Sequence, residues 1–349
     1  MEESALLAAI RDQSHPLPPT DELTLDRLLA PNAAGNTPLH LAAKNGRLRD
    51  LPPEIVSSAS LAVKNDAGYT PLHHAALGGH LDQVPAHLLA AEALDSRSNA
   101  GVTVFHVAAA GGHLDQLPPE LLTDEMVGRR TDVGNTLLHE AAENGTLDRV
   151  PAALVTPASV AIKNLGGETV LHVAAFNGHL DQLPASLLTE ATLREVTSAG
   201  DTVFHAAAIA GHLEQVPAAF LTHDNLVLAS KTGFTAIHAA AETGQLDKVP
   251  HAQLTPDLLL TRNDNGDTPL HAAAYEGHLD QIPEALLDRA SVETRNYDGI
   301  TVARTALERG FHLQIPEAAR PPHDECVPPL PAPAWPLQGA VLGRLCTFP

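Results

Sequence analysis

Eight histidines recur at one spacing, and imidazole is the side chain best suited to metal binding and to proton transfer near neutral pH. The interval between successive members is constant, and they are His40, His73, His106, His139, His172, His205, His238 and His271. Such a row suggests a metal site, a pH sensor or an acid–base enzyme. The repeated part of the sequence contains no glycine-rich phosphate loop, no Gly-x-Ser-x-Gly motif and no cysteine to pair with a histidine.

Two shorter motifs come close to metal sites and fail. His139-Glu140-Ala141-Ala142-Glu143 ends in glutamate where the zinc protease motif needs a second histidine. The segment 263–267 is similar to part of an EF-hand loop. With Gly266 as its sixth residue, that loop would begin at Thr261 and end at Ala272, where acids are needed. The sequence therefore predicts no metal ion and no cofactor.

The histidines belong to a pattern that a threonine opens at the same constant interval. The threonines are Thr37, Thr70, Thr103, Thr136, Thr169, Thr202, Thr235, Thr268 and Thr301. A period of about 33 residues, kept without insertions, is typical of a stacked array of one supersecondary unit. We therefore expect one elongated domain whose core grows from unit to unit.

Fixed residues around each threonine predict a short helix with both ends marked. The threonine hydroxyl is expected to cap the helix, and a proline in the next position suits the first turn. Two alanines share one helical face, and a glycine nine residues after the threonine ends the helix. Another glycine, two residues before the threonine, permits positive φ in a tight turn. In one unit these residues are Gly68, Thr70, Pro71, Ala75, Ala76 and Gly79.

The motif Gly-x-Thr-Pro-Leu-His-x-Ala-Ala-x-x-Gly-His-Leu-Asp resembles the ankyrin repeat over about residues 4–317. The resemblance implies an all-α fold: an ankyrin-type α-solenoid of about ten units, each with paired antiparallel helices and a β-turn finger. It also implies that the repeated histidine ties the finger to the threonine by hydrogen bonds. Stacked units lie roughly 8–10 Å apart whereas Zn–N bonds measure about 2.0–2.1 Å, so two of these histidines cannot share an ion. We interpret the row as structural.

The second half of each unit departs from the usual ankyrin pattern because it contains a proline, always at the same distance beyond the threonine. These prolines are Pro52, Pro85, Pro118, Pro151, Pro184, Pro217, Pro250, Pro283 and Pro316. A proline inside a helix costs about 3 kcal/mol, so the second helix cannot be continuous. We expect a short turn over Leu-Asp-Gln, a break, and a new helical start at the proline. A further cap is expected five positions beyond the proline, as at Thr189 after Pro184. This form is loosely associated with bacterial ankyrin proteins.

The register predicts four regions. A degenerate N-terminal capping repeat covers residues 1–36, and eight regular repeats cover 37–300. A degenerate C-terminal capping repeat covers 301–317, and a proline-rich tail covers 318–349. The tail contains both cysteines, Cys326 and Cys346, and P-x-x-P spacing beside Trp335, which an SH3-like domain could bind. The alternatives are a disordered segment or a shifted reading frame.

Charge limits the classes of partner. Lys and Arg total 21 against 42 Asp and Glu, a formal net charge of −21, so we expect neither nucleic acid nor anionic membrane as a partner. Such a charge favours solubility or a basic protein partner. No apolar run approaches the roughly 18 residues of a membrane span. The segment 1–13 lacks the basic region of a signal peptide, so we expect a cytoplasmic protein, with export by another route left open. We also expect the protein to be soluble and monomeric.

The resemblance places four columns of residues along a concave groove and at the finger tips. They are the residue before each threonine and those four, seven and eight after it. Apolar and aromatic side chains are more frequent there than on a solvated face, and such patches often mark partner sites. Alternatively, the broken second helices bury some of them. The candidate binding residues are Tyr69, His74, Leu77, Val102, Val107, Val173, Phe176, Ile209, Phe234 and Tyr275.

The sequence thus predicts a non-enzymatic scaffold that binds a partner protein through its groove and finger tips. Two other classes remain as alternatives: a metal or pH sensor or enzyme that uses the histidines, and a structural array that assembles with itself. A catalytic interpretation needs one constellation that is not repeated, and the sequence contains none that we can identify.

Overall fold

The computed structural model describes residues 2–12 and 16–321, and the chain divides into two compact units, residues 1–165 and 166–349. The division falls within the repeat that Thr136 opens. In the described residues the regular structure is helical, accompanied by isolated β-bridges that join Val196 to Thr202, Ala229 to Thr235 and Arg295 to Thr301. The all-α class is therefore confirmed.

In the first unit, helices of seven to ten residues that begin the repeats alternate with four-residue helices that end them. The helices are α1 (Glu2–Arg11), α2 (Leu25–Leu28), α3 (Pro38–Lys44), α4 (Ser58–Leu61), α5 (Pro71–Gly78), α6 (Ala91–Leu94), α7 (Val104–Gly111), α8 (Asp124–Val127), α9 (Leu137–Asn144) and α10 (Pro157–Val160). The longer helices pack in sequence order, α1 on α3, α3 on α5, α5 on α7 and α7 on α9.

The second unit repeats this order. Its helices are α11 (Val170–Asn177), α12 (Glu190–Leu193), α13 (Val203–Ala210), α14 (His223–Leu226), α15 (Ala236–Glu242), α16 (Pro256–Leu259), α17 (Pro269–Glu276), α18 (Arg289–Val292) and α19 (Val302–Arg309). Again α11 packs on α13, α13 on α15, α15 on α17 and α17 on α19. The alanine pairs, such as Ala207 and Ala208, are fully buried and allow this close approach.

Two short 3-10 turns replace the long second helix that an unbroken repeat would have. The first set comprises Leu48–Asp50, Leu81–Gln83, Leu114–Gln116, Leu147–Arg149, Leu180–Gln182, Leu213–Gln215, Leu246–Lys248, Leu279–Gln281 and His312–Gln314. The second set comprises Thr20–Glu22, Ala86–Leu88, Pro119–Leu121, Ala152–Leu154, Ala185–Leu187, Ala218–Phe220, Glu284–Leu286 and Glu317–Ala319. Extended backbone separates the two sets, as at Leu183 (ψ 144°) and Pro184 (ψ 131°). The second turn therefore begins one residue after the proline.

The fingers are tight turns that stack on one another through the backbone. In the finger of residues 65–69, the amide of Gly68 donates to the carbonyl of Asn65 at 2.9 Å, and Gly68 has φ 81°. The amide of Asn99, in the next finger, donates to the carbonyl of Ala67 at 3.0 Å. The predicted positive φ at this glycine is confirmed. The backbone hydrogen bond between the two fingers sets the position of one finger relative to the next.

The proline-rich tail falls mostly outside the described residues. The repeat geometry continues to Ala319, two residues past the predicted end of the C-terminal cap, and Ala319 is buried. Trp335, Cys326 and Cys346 lie outside the described residues, so the proposed SH3-type ligand stays a prediction.

Candidate functional site

His73 shows how hydrogen bonds on both ring nitrogens hold a repeated histidine. Nδ1 of His73 accepts the amide proton of Thr70 at 3.1 Å and lies 2.9 Å from the Thr70 hydroxyl. Nε2 lies 3.2 Å from the carbonyl oxygen of Val102 in the next finger. A carbonyl can only accept, so Nε2 carries the proton and Nδ1 is the acceptor. The histidine therefore ties one helix start to the following finger.

The same geometry holds along both units. The carbonyl partners of six other Nε2 atoms, at 3.0–3.3 Å, are Tyr69 for His40, Asn135 for His106, Asp201 for His172, Phe234 for His205, Asp267 for His238 and Ile300 for His271. Since Nδ1 accepts hydrogen bonds through its lone pair and Nε2 carries the proton, no ring lone pair is left for a metal or for proton transfer. The structural interpretation of the row rests on these bonds.

Burial keeps these imidazoles neutral. It lowers the pKa of His73, His106 and His238 to about 4, against opposing backbone hydrogen bonds that raise it. Burial also lowers the pKa of His40 and His271. Near neutral pH these five histidines are therefore uncharged, which suits a helix cap and does not suit a switch that titrates between pH 5 and 8.

A glutamine in the Leu-Asp-Gln turn performs a linking role that the sequence analysis missed. Gln116 accepts the amide proton of Leu81 at 2.9 Å and donates to the carbonyl of Gly79 at 2.8 Å. Gln83, Gln215, Gln281 and Gln314 make the same two bonds to the preceding repeat. The hydrogen-bond partners of each glutamine lie in the preceding repeat. In the sequence, the recurrence of the glutamine was therefore the one signal that could have indicated this linking role.

Where this glutamine is replaced, a polar residue three positions earlier takes over part of its role. Lys248 stands in the glutamine column, and there Gln245 bonds both the Leu213 amide at 2.9 Å and the Ala208 carbonyl at 2.6 Å. Arg149 also stands in that column, and there the Thr146 hydroxyl donates to the Ala109 carbonyl at 2.6 Å. In these repeats, side chains of the following repeat thus form hydrogen bonds with buried backbone groups of the preceding repeat.

The second histidine column packs on the glycine that ends the helix of the preceding repeat. A Cβ added to Gly79, which has φ 73°, would come within 2.7 Å of the His113 ring. A Cβ on Gly178 would come within 2.9 Å of the His212 ring. Glycine is required here both for its positive φ and for the close approach of this ring.

The ten candidate binding residues divide into two groups. Val102, Val107 and Val173 are buried, at 3%, 1% and 7% exposure. Tyr69, His74, Leu77, Phe176, Ile209, Phe234 and Tyr275 are half-buried. The column four residues after the threonine is largely covered, because it lies toward the neighbouring helix, whereas the column seven after it remains open. The three valines are therefore buried below the candidate binding surface and contribute little exposed area to it.

In the second unit the open residues come from four neighbouring repeats. Phe176 lies near the end of α11, Ile209 lies near the end of α13, and Phe234 lies in the finger before α15. Phe234 also packs near His238, with ring centroids 5.5 Å apart. Tyr275 is partly occupied already, since the guanidinium of Arg309 stands 4.0 Å from its ring centroid. We name Phe176, Ile209 and Phe234 the apolar strip.

Among the open residues of the first unit, His74 has an unusual environment. His74 stacks edge-to-face on His40, with ring centroids 5.1 Å apart, and its Nδ1 has no hydrogen-bond partner in the described structure. Burial, and then the nearby His40, lower the pKa of His74 to about 3. Tyr69 lies edge-to-face on His73 at 5.3 Å. The imidazole of His74 is therefore uncharged near neutral pH, and the exposed cation Lys44 lies near it.

Two carboxyl groups lie among the groove columns with a raised pKa. Burial raises the pKa of Glu140, whose Oε1 accepts from Asn135 Nδ2 at 3.1 Å. Burial, and then the negative charge of Glu276, raise the pKa of Glu242. In residues 2–12 and 16–321, no group of three or more His, Cys, Asp or Glu side chains is arranged to hold a metal ion.

Within each unit, Thr and His cap the repeats, and hydrogen bonds from the fingers and the Leu-Asp-Gln turns link neighbouring repeats. These features define a helical repeat protein. Two stretches match the ankyrin repeat family model, residues 34–57 and 265–297. These two matches, together with the repeat geometry, support an ankyrin repeat protein. A comparison with curated protein sequences found no significant match.

Ankyrin repeats generally mediate protein–protein interaction, and the family is typically non-enzymatic. No helix in the described part of the chain has the length and apolar character that crossing a membrane would require.

Proposed function

We propose that the chain is a non-enzymatic scaffold that binds a partner protein through the groove columns, with the apolar strip as its centre. The observation that carries this is the half-exposure of Phe176, Ile209 and Phe234 beside fully buried helical neighbours. Binding energy in protein interfaces concentrates in such central aromatic and aliphatic side chains.

A basic surface on the partner fits this groove. Asp201 and Glu242 are half-buried members of its columns, and the proximity of Glu276 disfavours ionisation of Glu242. A cation supplied by a partner would relieve that repulsion, and the net charge of −21 would accelerate association at low salt. Tyr69, in a finger, and Leu77, in α5, would form a second contact of the same kind in the first unit.

The test compares three forms of the full chain as affinity baits in a lysate of the source cells. They are the wild type, the double variant Phe176→Ala/Ile209→Ser, and a control, Leu165→Ser, which removes an exposed apolar side chain from a finger tip. We expect that the wild type and the control retain the same partner proteins and that the double variant loses them. Identical sets from all three would contradict the proposal.

Self-assembly and metal sensing are the competing functions, and two measurements separate them. Light scattering of the purified chain should give the mass of a monomer, whereas an array that assembles with itself would show mass rising with concentration. Metal analysis of tag-free protein should find no stoichiometric zinc, because both nitrogens of the ring are engaged in hydrogen bonds.

A further inference from the structure

A row of cations runs along the fingers of the first unit. Lys64, Arg97, Arg130 and Lys163 stand in the same column of four successive repeats. Lys64 Nζ donates to the carbonyl of Arg97 at 2.7 Å, Arg97 Nη2 donates to the carbonyl of Arg130, and Arg130 Nη1 donates to the carbonyl of Lys163 at 2.8 Å. The head groups of Lys64, Arg97 and Arg130 are therefore each held over the next repeat, which keeps these three in line.

The first three of these cations are exposed and retain unused donors. Lys64, Arg97 and Arg130 form no ion pair within residues 2–12 and 16–321. An ammonium has three donors and a guanidinium five, and the carbonyl bond uses one of them. Arg129 beside the row is different, because it pairs with Asp95 at 3.5 Å and Glu125 at 3.1 Å.

The local charge is opposite to that of the whole chain. The four segments 62–67, 95–100, 128–133 and 161–165 contain five cations and three carboxylates, whereas the chain has a net charge of −21. A long polyanion such as a nucleic acid would meet the negative remainder of the surface. A short acidic peptide would meet the row alone.

We propose that this row binds an extended acidic protein segment that carries a carboxylate at every third residue. Stacked repeats lie roughly 8–10 Å apart. A polyproline-type chain has three residues per turn and a rise of about 3.1 Å, so every third side chain recurs after about 9.3 Å on one face. In a β-strand the same-face spacing is about 6.8 Å, which does not match. The surface is distinct from the groove, and its partner has the opposite charge.

The test uses synthetic peptides of about twelve residues, labelled with a fluorophore, whose repeat follows polyproline geometry. One peptide repeats Glu-Pro-Ala, and a second has the same composition with its glutamates placed together. Binding to the full chain is followed by fluorescence anisotropy at roughly 50 and 200 mM salt. We expect the repeating peptide to bind at least tenfold more tightly than the clustered one, and to weaken as salt rises.

The variant Arg97→Gln/Arg130→Gln should weaken binding of the repeating peptide at least tenfold. Arg97→Lys/Arg130→Lys, which keeps the charges, should retain most of the affinity. Arg262→Gln is the matched control, because Arg262 stands in the same column of the second unit and donates to the Arg295 carbonyl at 2.7 Å. Its binding should equal that of the wild type.

Three results would overturn the proposal: no binding of either peptide at low salt, equal binding of both, or wild-type affinity in the Gln variant. Equally tight binding of a single-stranded oligonucleotide would also overturn it, since the row would then attract any polyanion. If the Gln variant fails to fold, the comparison of the two peptides on the wild type still decides.

Discussion

The repeated histidine is confined to one tautomer by what its two nitrogens touch. The threonine donors on Nδ1 require a lone pair there, and the finger carbonyl requires a proton on Nε2. Protonation would place an N–H against the amide N–H of Thr70, and it would also charge a buried ring. The cost of both effects predicts how stability depends on pH.

We expect the stability of the fold to decrease as pH falls from about 6.5 toward 4. The pKa of His73, His106 and His238 is lowered to about 4 by burial, so the unfolded chain takes up these protons first. In that window, each such histidine lowers the free energy of unfolding by up to about 1.4 kcal/mol for each pH unit of acidification. Buried Glu140 and Glu242, whose pKa is raised, act in the opposite direction but are fewer. Urea unfolding at several pH values measures the effect, and a midpoint that stays constant or rises on acidification would refute it.

Replacing Gln116 with alanine should lower the free energy of unfolding by about 1–3 kcal/mol. The change leaves the Leu81 amide and the Gly79 carbonyl without their partners across the repeat boundary. Asp115→Ala, the adjacent exposed position, is the control and should cost little. Equal urea midpoints for the two variants would show that these bonds contribute nothing.

At the scale of the element, the sequence predicted what lies within one repeat better than what joins two repeats. Thr37 caps α3, and Gly79 ends α5 with φ 73°, because capping and positive φ depend on neighbours in sequence. The roles of Gln116 and Arg97 depend on partners in an adjacent repeat, which one repeat read alone does not contain. Val107 was expected in the groove, but it is buried. One repeat read alone does not show that the neighbouring helix covers this side chain.

Changing Pro184 to alanine should cost less than about 1 kcal/mol. Pro184 is exposed, has φ −55°, and accepts the Leu187 amide through its carbonyl at 2.9 Å, so it precedes a turn without interrupting a helix. The expected loss comes from greater freedom of the unfolded chain. Far-UV circular dichroism during urea unfolding gives the answer. A loss of several kcal/mol, or a gain of helix across residues 180–188, would contradict the broken-helix description.

At the scale of the whole molecule, repeats within each of the two units contact their sequence neighbours, so the last repeat protects the one before it. Helix α19 packs on α17, whose Ala273 and Ala274 are fully buried. The end repeat itself is not entirely polar, since Leu307 and Leu313 are 51% and 70% exposed.

Deleting the chain from Thr301 onward should lower the melting temperature and promote aggregation. The deletion uncovers the α17 alanines and the Gly277 end of that helix, against which the Phe311 ring packs. Ending the chain at Gly266 should leave a folded but weaker array. Light scattering during a thermal ramp follows both forms. A deletion from Thr301 that stays monomeric and melts with the full chain would show that the cap is wrongly assigned.

The central claim is that the apolar strip is a binding surface and not part of the core. The most direct measurement is the affinity of Phe176→Ala/Ile209→Ser for a partner recovered with the wild type, taken together with its melting temperature. We predict affinity at least tenfold weaker, roughly 1.4 kcal/mol, with a nearly unchanged melting temperature. Phe204→Ala, a fully buried comparison, should instead cost about 3–5 kcal/mol of stability. Unaltered affinity, or a loss of stability like that of Phe204→Ala, would contradict the claim.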